Sequence, residues 1–232
     1  MTGTKSNPLL IVNNLNKKVA SPTGALVLLA DINFTIYSSE SVAIIGPSGA
    51  GKSTLLGILA GLDLPSNGEV ILEDENIFNM DEDGRAQLRG RMIGFVFQSF
   101  QLLPSLTALE NVMLPLELLA LPDQQETAKH VLDRVGLLDR AGHYPRQLSG
   151  GEQQRVAIAR AFAVKPKILL ADEPTGNLDK KTGEKIIELL FSLNEEESTT
   201  LLLVTHDTYL ADRCQRQFHI DGGRLTELNH GN

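Results

Sequence analysis

Four short and mainly apolar runs divide the chain, at residues 42–45, 93–97, 168–171 and 201–204. Runs that are apolar on both faces suit a parallel sheet that is covered by helices. Helical periodicity falls between and beside them, at residues 53–62, 107–119, 125–135, 152–164 and 182–194. Because strands alternate with helices, the pattern predicts an α/β fold with a mainly parallel sheet.

The first third of the chain has a different pattern, with strand-like segments at residues 9–12, 26–37 and 69–77. Turn signals at residues 21–24 and 65–68 separate them. We therefore expect an antiparallel β subdomain at the N-terminus. The helices at 107–164 follow one another without a strand of their own, so residues 99–165 are predicted to form a helical subdomain inserted in a single domain, 1–232.

Composition narrows the possible functions. The 232 residues carry a net charge of −8, from 21 basic and 29 acidic residues, which argues against a nucleic-acid-binding surface. The single cysteine, Cys214, allows no intramolecular disulfide, as in a reducing compartment. The first ten residues lack the build of a signal peptide, and no apolar run approaches the roughly 18–20 residues of a membrane helix. The chain is expected to be soluble or peripheral, so that a partner would have to span any membrane it serves.

A phosphate loop follows the first apolar run. Its sequence fits G-x-x-x-x-G-K-[ST], and a predicted helix comes directly after it. Backbone N–H groups of such a loop surround phosphate oxygens, and the helix N-terminus adds positive potential. Lys52 can bridge the β- and γ-phosphates, and Ser53 can bind Mg²⁺. An ordinary glycine-rich turn is the alternative, which the flanking strand and helix disfavour. The candidate phosphate-binding residues are Gly46, Pro47, Ser48, Gly49, Ala50, Gly51, Lys52, Ser53 and Thr54.

The third apolar run ends in two carboxylates, Asp172 and Glu173. Acidic residues at the carboxyl end of a strand face the ligand crevice of an open α/β sheet. Asp172 would hold Mg²⁺, and Glu173 is the candidate general base for an attacking water. A solvated strand end is the alternative for an isolated Asp-Glu pair.

The heptapeptide Leu-Ser-Gly-Gly-Glu-Gln-Gln begins at Leu148 and opens a predicted helix. Ser149 has the character of an N-cap, with Glu152 completing a capping box. Gly150 and Gly151 leave backbone N–H groups accessible to an anion. Taken alone, this sequence could simply cap a helix.

Together, in this order, these motifs and the Pro-Thr-Gly-Asn-Leu-Asp that follows Glu173 resemble the ATPase subunit of ABC (ATP-binding cassette) systems over essentially the whole chain. The resemblance implies an ATP hydrolase that uses ATP and Mg²⁺. Two cassettes pair head to tail, each ATP lying between one phosphate loop and the other chain's signature, and a homodimer is the simplest expectation. Asp179 would lie at the dimer contact.

The resemblance also assigns two isolated residues. Gln98 would be the Q-loop glutamine, which contacts Mg²⁺ or the attacking water and lies at the joint to the helical subdomain. His206 would be the switch histidine at the γ-phosphate. The remaining histidines are expected to be structural or at the surface: His130, His143, His219 and His230.

The match is closest to ATPases that serve MacB-like, lipoprotein-release and FtsX-like permeases. It rests on residues 95–98, 102–112 and 173–179, with a narrower match at residues 97–100 and 190–194. This implies an inner-membrane permease partner, a peripheral position on the cytoplasmic face and lipid-like or hydrophobic substrates. A mechanotransmission ATPase that regulates a membrane or periplasmic partner without transport is the alternative. Soluble ABC proteins of translation or repair usually carry two cassettes or coiled-coil insertions, and neither is present.

Two features near the motifs leave alternatives open. Most ABC cassettes stack adenine on an early aromatic residue, but the first aromatic here is Phe34, and Lys17, Lys18 and Val19 take the usual place. We expect only a modest preference for ATP over GTP, since a stack contributes on the order of 1 kcal/mol. Leucines after Gln98 are expected to be mostly helix core, with a few exposed at a permease groove: Leu102, Leu103, Leu106 and Leu109.

Overall fold

In the computed structural model, which describes residues 7–21 and 24–228, the chain forms two compact units. The first comprises the residues up to Arg89 together with those from Thr200 onward, and the second is Gly90–Thr199. The predicted helical subdomain, 99–165, falls inside the second unit, and its status as an insertion stays a prediction.

The first unit contains an antiparallel sheet with the strand order β2-β1-β4-β5. The strands are β1 (Pro8–Ser21), β2 (Gly24–Tyr37), β4 (Asn67–Leu72) and β5 (Glu75–Asn76). Both β1 and β2 contribute buried apolar side chains, including Leu15, Leu29 and Ile32. The predicted antiparallel subdomain is therefore present. The segment 69–77 differs from its prediction, because Glu73 adopts a positive φ of 53° and divides it into two strands.

A parallel set of strands in the same unit supports the phosphate loop. The central strand β3 (Ser41–Ile45) pairs in parallel with β8 (Thr200–Thr205) and with β9 (Arg216–Asp221). Helix α1 (Lys52–Leu59) follows β3, and the short helix α7 (Thr208–Ala211) follows β8. Strand β10 (Arg224–Leu228) pairs antiparallel with β9. Every residue of β8 is buried, as expected for a strand covered on both faces.

The second unit combines two parallel strands with four long helices. Strand β6 (Ile93–Phe97) pairs with β7 (Ile168–Asp172) in parallel register. The helices are α3 (Ala108–Leu118), α4 (Gln124–Arg134), α5 (Gly150–Phe162) and α6 (Lys180–Glu196). All four coincide with predicted helices to within a few residues.

Two helices, one of them the short α7, and two strands were not predicted from the sequence. Helix α2 (Glu82–Met92) buries only Leu88, so it lacks an apolar stripe, and Glu82 pairs with both Arg85 and Arg89. Strands β9 and β10 are short and carry polar residues on exposed positions. The turn predicted at residues 21–24 includes Pro22 and Thr23, which lie outside the described residues.

Two further observations concern membrane-spanning helices and the single cysteine. Among the residues that the structure describes, no helix is long and apolar enough to cross a membrane. The thiol of Cys214 is 4% exposed, and its burial raises its pKa to about 12.

Candidate functional site

The phosphate loop connects β3 to α1 in the first unit. Gly51 is the N-cap of α1 and adopts φ 101°, a left-handed conformation that residues with a Cβ rarely adopt. A Cβ there would also lie 2.8 Å from the carbonyl oxygen of Leu28. The loop's tip, Pro47, Ser48 and Gly49, is exposed, whereas Ala50 is buried. The local fold thus presents a loop backbone to solvent at the start of a helix.

Lys52 folds back over this loop. Its side chain is 9% exposed, and Nζ donates to the carbonyl oxygens of Gly46 at 2.8 Å and Pro47 at 3.0 Å. An ammonium group has three N–H donors, so these bonds leave one for a further acceptor. Ser53 is exposed and Thr54 half-buried in the first turn of α1, which carries no acidic residue. The positive end of α1 therefore keeps its attraction for anions.

His206 and the phosphate loop follow two neighbouring parallel strands, β8 and β3. Ile45 pairs with Thr205 in parallel register, so Gly46 and His206 are the next residues of neighbouring strands, at the same carboxyl edge. His206 is exposed, and Asp207 after it caps α7 by accepting from the Tyr209 N–H. The first unit thereby brings the predicted histidine to the edge where the phosphate loop begins.

In the second unit, β6 and β7 likewise end side by side, next to the predicted carboxylates and Gln98. Phe97 pairs with Asp172 in parallel register, so Gln98 and Glu173 follow at one carboxyl edge. Asp172 and Glu173 are both half-buried. Glu173 adopts φ 48°, and its carbonyl oxygen accepts from the Gly176 N–H at 3.0 Å, which begins a turn. A left-handed conformation costs a non-glycine residue on the order of 1–3 kcal/mol, so surrounding contacts hold the candidate base in this position.

The glycine-rich signature caps α5 as predicted. Ser149 Oγ accepts from the Glu152 N–H at 3.3 Å, and Glu152 Oε2 accepts from the Ser149 N–H and hydroxyl, each at 2.8 Å. The bond from the Ser149 N–H is the main cause of the lowered pKa of Glu152, followed by the serine hydroxyl and the charges of Arg140 and Arg155. The capping box is complete, and Gly150 and Gly151 form the first turn of the helix.

Several contacts bring the signature, the turn after Glu173 and the segment after Gln98 together within the second unit. Gln154 is fully buried, and its Nε2 donates to the Pro174 carbonyl at 2.6 Å. A Cβ at Gly150 would lie 3.3 Å from Leu178 and 3.7 Å from the Phe100 ring, and one at Gly151 would lie 2.5 Å from Thr182 Cγ2. Three motifs that are distant in sequence therefore form one cluster.

Arg160 extends this cluster toward the other end of α5. Its guanidinium donates to the carbonyl oxygens of Gln101 at 2.6 Å and Phe100 at 3.1 Å, and burial lowers its pKa. Phe100 and Gln101 both have positive φ, 60° and 48°. Sequence reasoning gave no role to Arg160, nor to Gln154 at the end of the signature, because their partners are backbone carbonyls 59 and 20 residues away, which no local pattern reveals.

Asp179 has a local role that the family resemblance did not suggest. It is the N-cap of α6 and accepts from the Thr182 N–H at 3.1 Å. Hydrogen bonds from the Thr182 side chain and backbone lower its pKa. Asp is among the preferred N-cap residues, which is a signal that the sequence contained.

The leucines after Gln98 do not form the helix core that was expected for most of them. Leu103 is 44% exposed, and Leu102, Leu106 and Leu109 are half-buried. Leu109 lies in α3, and the other three lie before it because of Asn111. This residue is fully buried and bonds to Leu103 through both N–H and carbonyl, and to the carbonyls of Leu106 and Thr107. This amide holds the segment as a loop before α3.

The early segment that lacks an aromatic residue is held by polar contacts. Lys17 Nζ lies 2.7 Å from both the Asp63 carboxylate and the Leu64 carbonyl. Lys18 and Ser66 exchange two further bonds. Val19 is half-buried, whereas Lys18 is exposed. Of the other histidines, His143 and His219 are half-buried, His130 is exposed, and His230 lies outside the described residues. No cluster of three or more His, Cys, Asp or Glu side chains suited to a metal occurs within the described part of the chain.

Comparison with known proteins adds independent findings. Residues 29–176 match the ABC transporter family model. The chain is 52% identical over 218 residues to the Escherichia coli K12 ABC transporter ATP-binding protein YbbA, covering 93% of this chain and 96% of that one. Within the predicted group of ATPases, YbbA is the relative that residues 97–100 and 190–194 indicated.

Two further relatives agree. The chain is 46% identical over 222 residues to the lipoprotein-releasing system ATP-binding protein LolD of Hydrogenovibrio crunogenus, covering 95% and 96% of the two chains. The ADP- and phosphate-bound dimer of the ATP-binding cassette MJ0796 superposes with a TM-score of 0.88 at 43% identity, covering 96% of this chain and 99% of that one.

Proposed function

Because this chain belongs to the ABC transporter family and is an ATP-binding, ATP-hydrolysing subunit of that family, we propose that two copies pair around two ATP molecules and drive an integral-membrane permease. The permease would be of the MacB/FtsX-like type, and its substrates lipid-like or hydrophobic. The similarity to LolD, a protein of a lipoprotein-releasing system, supports this class. The subunit would then lie on the cytoplasmic face of a bacterial inner membrane. The presence of both a phosphate loop and a separate, capped signature in one chain is the observation that carries the proposal.

The phosphate loop would bind the phosphates through backbone N–H groups of Gly46, of residues 48–51 and of the first turn of α1, since Pro47 has no N–H to donate. Lys52 would exchange part of its contact with Gly46 and Pro47 for the β- and γ-phosphates. This exchange is favourable because an ammonium group bonds more strongly to an ionised phosphate oxygen than to a neutral carbonyl oxygen. His206 would contact the γ-phosphate from the end of the neighbouring strand.

The residues proposed for Mg²⁺ have suitable chemistry. Gln98 and Asp172 offer an amide oxygen and a carboxylate at one strand edge, and Ser53 offers a hydroxyl. Mg²⁺ prefers oxygen ligands and usually binds one or two carboxylates together with substrate phosphates. When bound, the ion would neutralise charge on the β- and γ-phosphates.

Glu173 would orient the attacking water and take its proton. The hydrogen bond from the Gly176 N–H fixes its backbone, so the Glu173 side chain starts from a fixed position at the end of β7. A positioned general base contributes roughly 10²–10⁴-fold to a rate.

The signature would serve the ATP of the second copy. Ser149, Gly150 and Gly151 would approach the γ-phosphate, Glu152 would keep the helix start in shape, and Asp179 would lie at the contact between copies. The dimeric cassettes of MJ0796 support a pair of this kind. Loss of the γ-phosphate contact on hydrolysis would let the pair open, which is a two-state switch driven by differential contacts.

The permease would contact the loop that Asn111 holds before α3. Leu103 is 44% exposed there, and Leu102 and Leu106 are partly so. Leu103→Glu should release the permease in co-purification from membranes while nucleotide affinity of the isolated subunit stays unchanged. A loss of folding in this variant would contradict the surface role.

Glu173→Gln tests the catalytic proposal and the pairing together. We expect ATP binding to persist, hydrolysis to fall at least 100-fold, and a dimer to accumulate with ATP but not with ADP in light-scattering chromatography. Identification of the membrane protein that copurifies distinguishes transport from mechanotransmission. Near-normal turnover in the variant would place the base elsewhere.

A further inference from the structure

Gln98 and Asn177 form a reciprocal contact in the second unit, although they are 79 residues apart. Asn177 Nδ2 donates to the backbone carbonyl of Gln98 at 2.9 Å, and Gln98 Nε2 donates to Asn177 Oδ1 at 3.3 Å. We propose that Asn177 is a positioning residue that orients the Gln98 side chain so that its Oε1 is the atom offered to the divalent cation. This inference rests on the proposed role of Gln98 at Mg²⁺.

Hydrogen-bond chemistry fixes the direction of both amides. A backbone carbonyl can only accept, so the Asn177 group that faces the Gln98 carbonyl has to be the Nδ2 amine. Asn177 Oδ1 then faces the Gln98 side chain, whose Nε2 is its only donor group. The remaining atom of the amide, Oε1, is left for another partner. Because Mg²⁺ binds oxygen and not an amine, this orientation is the competent one.

The backbone beside Asn177 restricts rotation of the same amide. A Cβ at Gly176 would lie 2.6 Å from Gln98 Nε2 and 2.9 Å from Cδ, so the glycine allows the two segments to touch. Gly176 also donates to the Glu173 carbonyl at 3.0 Å, and Leu178 donates to that of Thr175 at 3.0 Å. The turn that contains Asn177 is thus hydrogen-bonded to the backbone of Glu173, the candidate general base.

This arrangement gives Asn177 a role distinct from that of a metal ligand. Groups that orient a ligand typically change metal affinity 10- to 100-fold when they are removed. Both Gln98 and Asn177 are exposed in the single chain, where water weakens their contact. We therefore expect an effect at the lower end, about tenfold.

A double-mutant cycle tests the inference in the full chain, on the Glu173→Gln background so that ATP is not consumed. The readout is the ratio of the Kd of a fluorescent ATP analogue in EDTA to its Kd in Mg²⁺. Asn177→Ala and Gln98→Ala should each lower the ratio about tenfold, and the double variant should lower it no further. Asn177→Asp should lower it as well, because a carboxylate cannot donate to the Gln98 carbonyl.

Controls separate this inference from the proposed function. Gln125→Ala removes an exposed amide from α4 of the same unit and should leave the ratio unchanged, and the Kd in EDTA should be the same in every variant. If Gln98→Ala lowers the ratio and Asn177→Ala does not, or if the two effects add, the inference is wrong and the role of Gln98 stands. If Gln98→Ala has no effect, both are wrong.

Discussion

The two glycine-rich helix starts of this chain have opposite chemistry. At α1 the N-cap is Gly51, whose lack of a side chain leaves the helix without a side-chain cap, and the first turn holds Lys52, Ser53 and Thr54. At α5 the N-cap is Ser149, which exchanges hydrogen bonds with Glu152. Glycine-rich starts are often treated as one class of anion site. This comparison shows that one start keeps its positive potential and the other already carries its own carboxylate.

The difference suggests a division of labour. The start of α1 can attract phosphate by itself. The start of α5 already has its own hydrogen-bond acceptors in Ser149 and Glu152. It would therefore bind an anion only when a second set of contacts holds that anion in place. Four predictions test this contrast, from the largest expected effect to the smallest.

Lys52→Ala should have the largest effect. Removing a charged donor from the phosphate loop should weaken ATP binding about 100-fold, or about 2–3 kcal/mol. Ser149→Ala should leave the affinity of the single chain unchanged. Titration with a fluorescent ATP analogue at protein concentrations too low for pairing measures both. Lys185→Ala, which removes an exposed lysine of α6, is the control. Equal weakening by the Lys52 and Ser149 variants would remove the contrast.

Gly151→Ala should destabilise the protein by about 2 kcal/mol, because the added Cβ would lie 2.5 Å from Thr182 Cγ2. Thr182→Ser removes that methyl group and keeps the backbone donor to Asp179, so the double variant should recover most of the loss. The free energy of unfolding in urea measures this.

Gly57→Ala is the matched control in α1. A Cβ there meets nothing within 4 Å. This variant should stabilise the protein by about 0.5–1 kcal/mol. Destabilisation by both alanines would show that steric crowding does not distinguish the two helices.

Ser149→Ala should cost about 1 kcal/mol of stability, because it removes the N-cap of α5. Ser48→Ala alters an exposed serine of the phosphate loop and should change stability by less than about 0.5 kcal/mol. Urea unfolding of the two variants compares a serine that caps a helix with one that does not. A cost below that of Ser48→Ala would show that the capping box contributes nothing.

The smallest effect is the pH dependence contributed by Glu152. Its pKa is lowered in the folded chain relative to the ordinary value of 4.5, so its stabilisation is present above that value and is lost as pH falls through the folded pKa. Wild type should therefore exceed Glu152→Gln in unfolding free energy by about 0.5 kcal/mol near pH 7, with the gap closing as the pH falls from 4.5 through the lower pKa of the folded chain. A gap that stays constant with pH would exclude a role for the carboxylate charge.

The parts of the fold that follow local rules could be predicted from the sequence. The capping box at Ser149 and the buried strands that end at Ile45 and Asp172 are encoded in consecutive residues. Helix α2 was missed because its stability comes from ion pairs such as Glu82 with Arg85, which leave no hydrophobic period. Strand β1 was predicted too short because its polar residues, including Asn13 and Asn16, lie in a segment with register shifts.

The candidate site shows the same limit. Its residues could be located because parallel strands end at a common edge, as Phe97 and Asp172 do. The contacts that hold them could not be predicted, because Gln98 with Asn177 and Gln154 with Pro174 join positions 79 and 20 residues apart. Similarly, the exposure of Leu103 depends on the buried amide of Asn111, whose four bonds no periodicity describes.

The buried thiol of Cys214 makes this chain convenient for site-directed labelling. Its pKa of about 12 leaves almost no thiolate at neutral pH, so maleimides should react with it very slowly in the folded protein. A cysteine introduced at an exposed position such as Gln125 would then be the only reactive thiol, without replacing the native one. Spin labels or fluorophores attached there would offer a way to follow the proposed pairing of two copies.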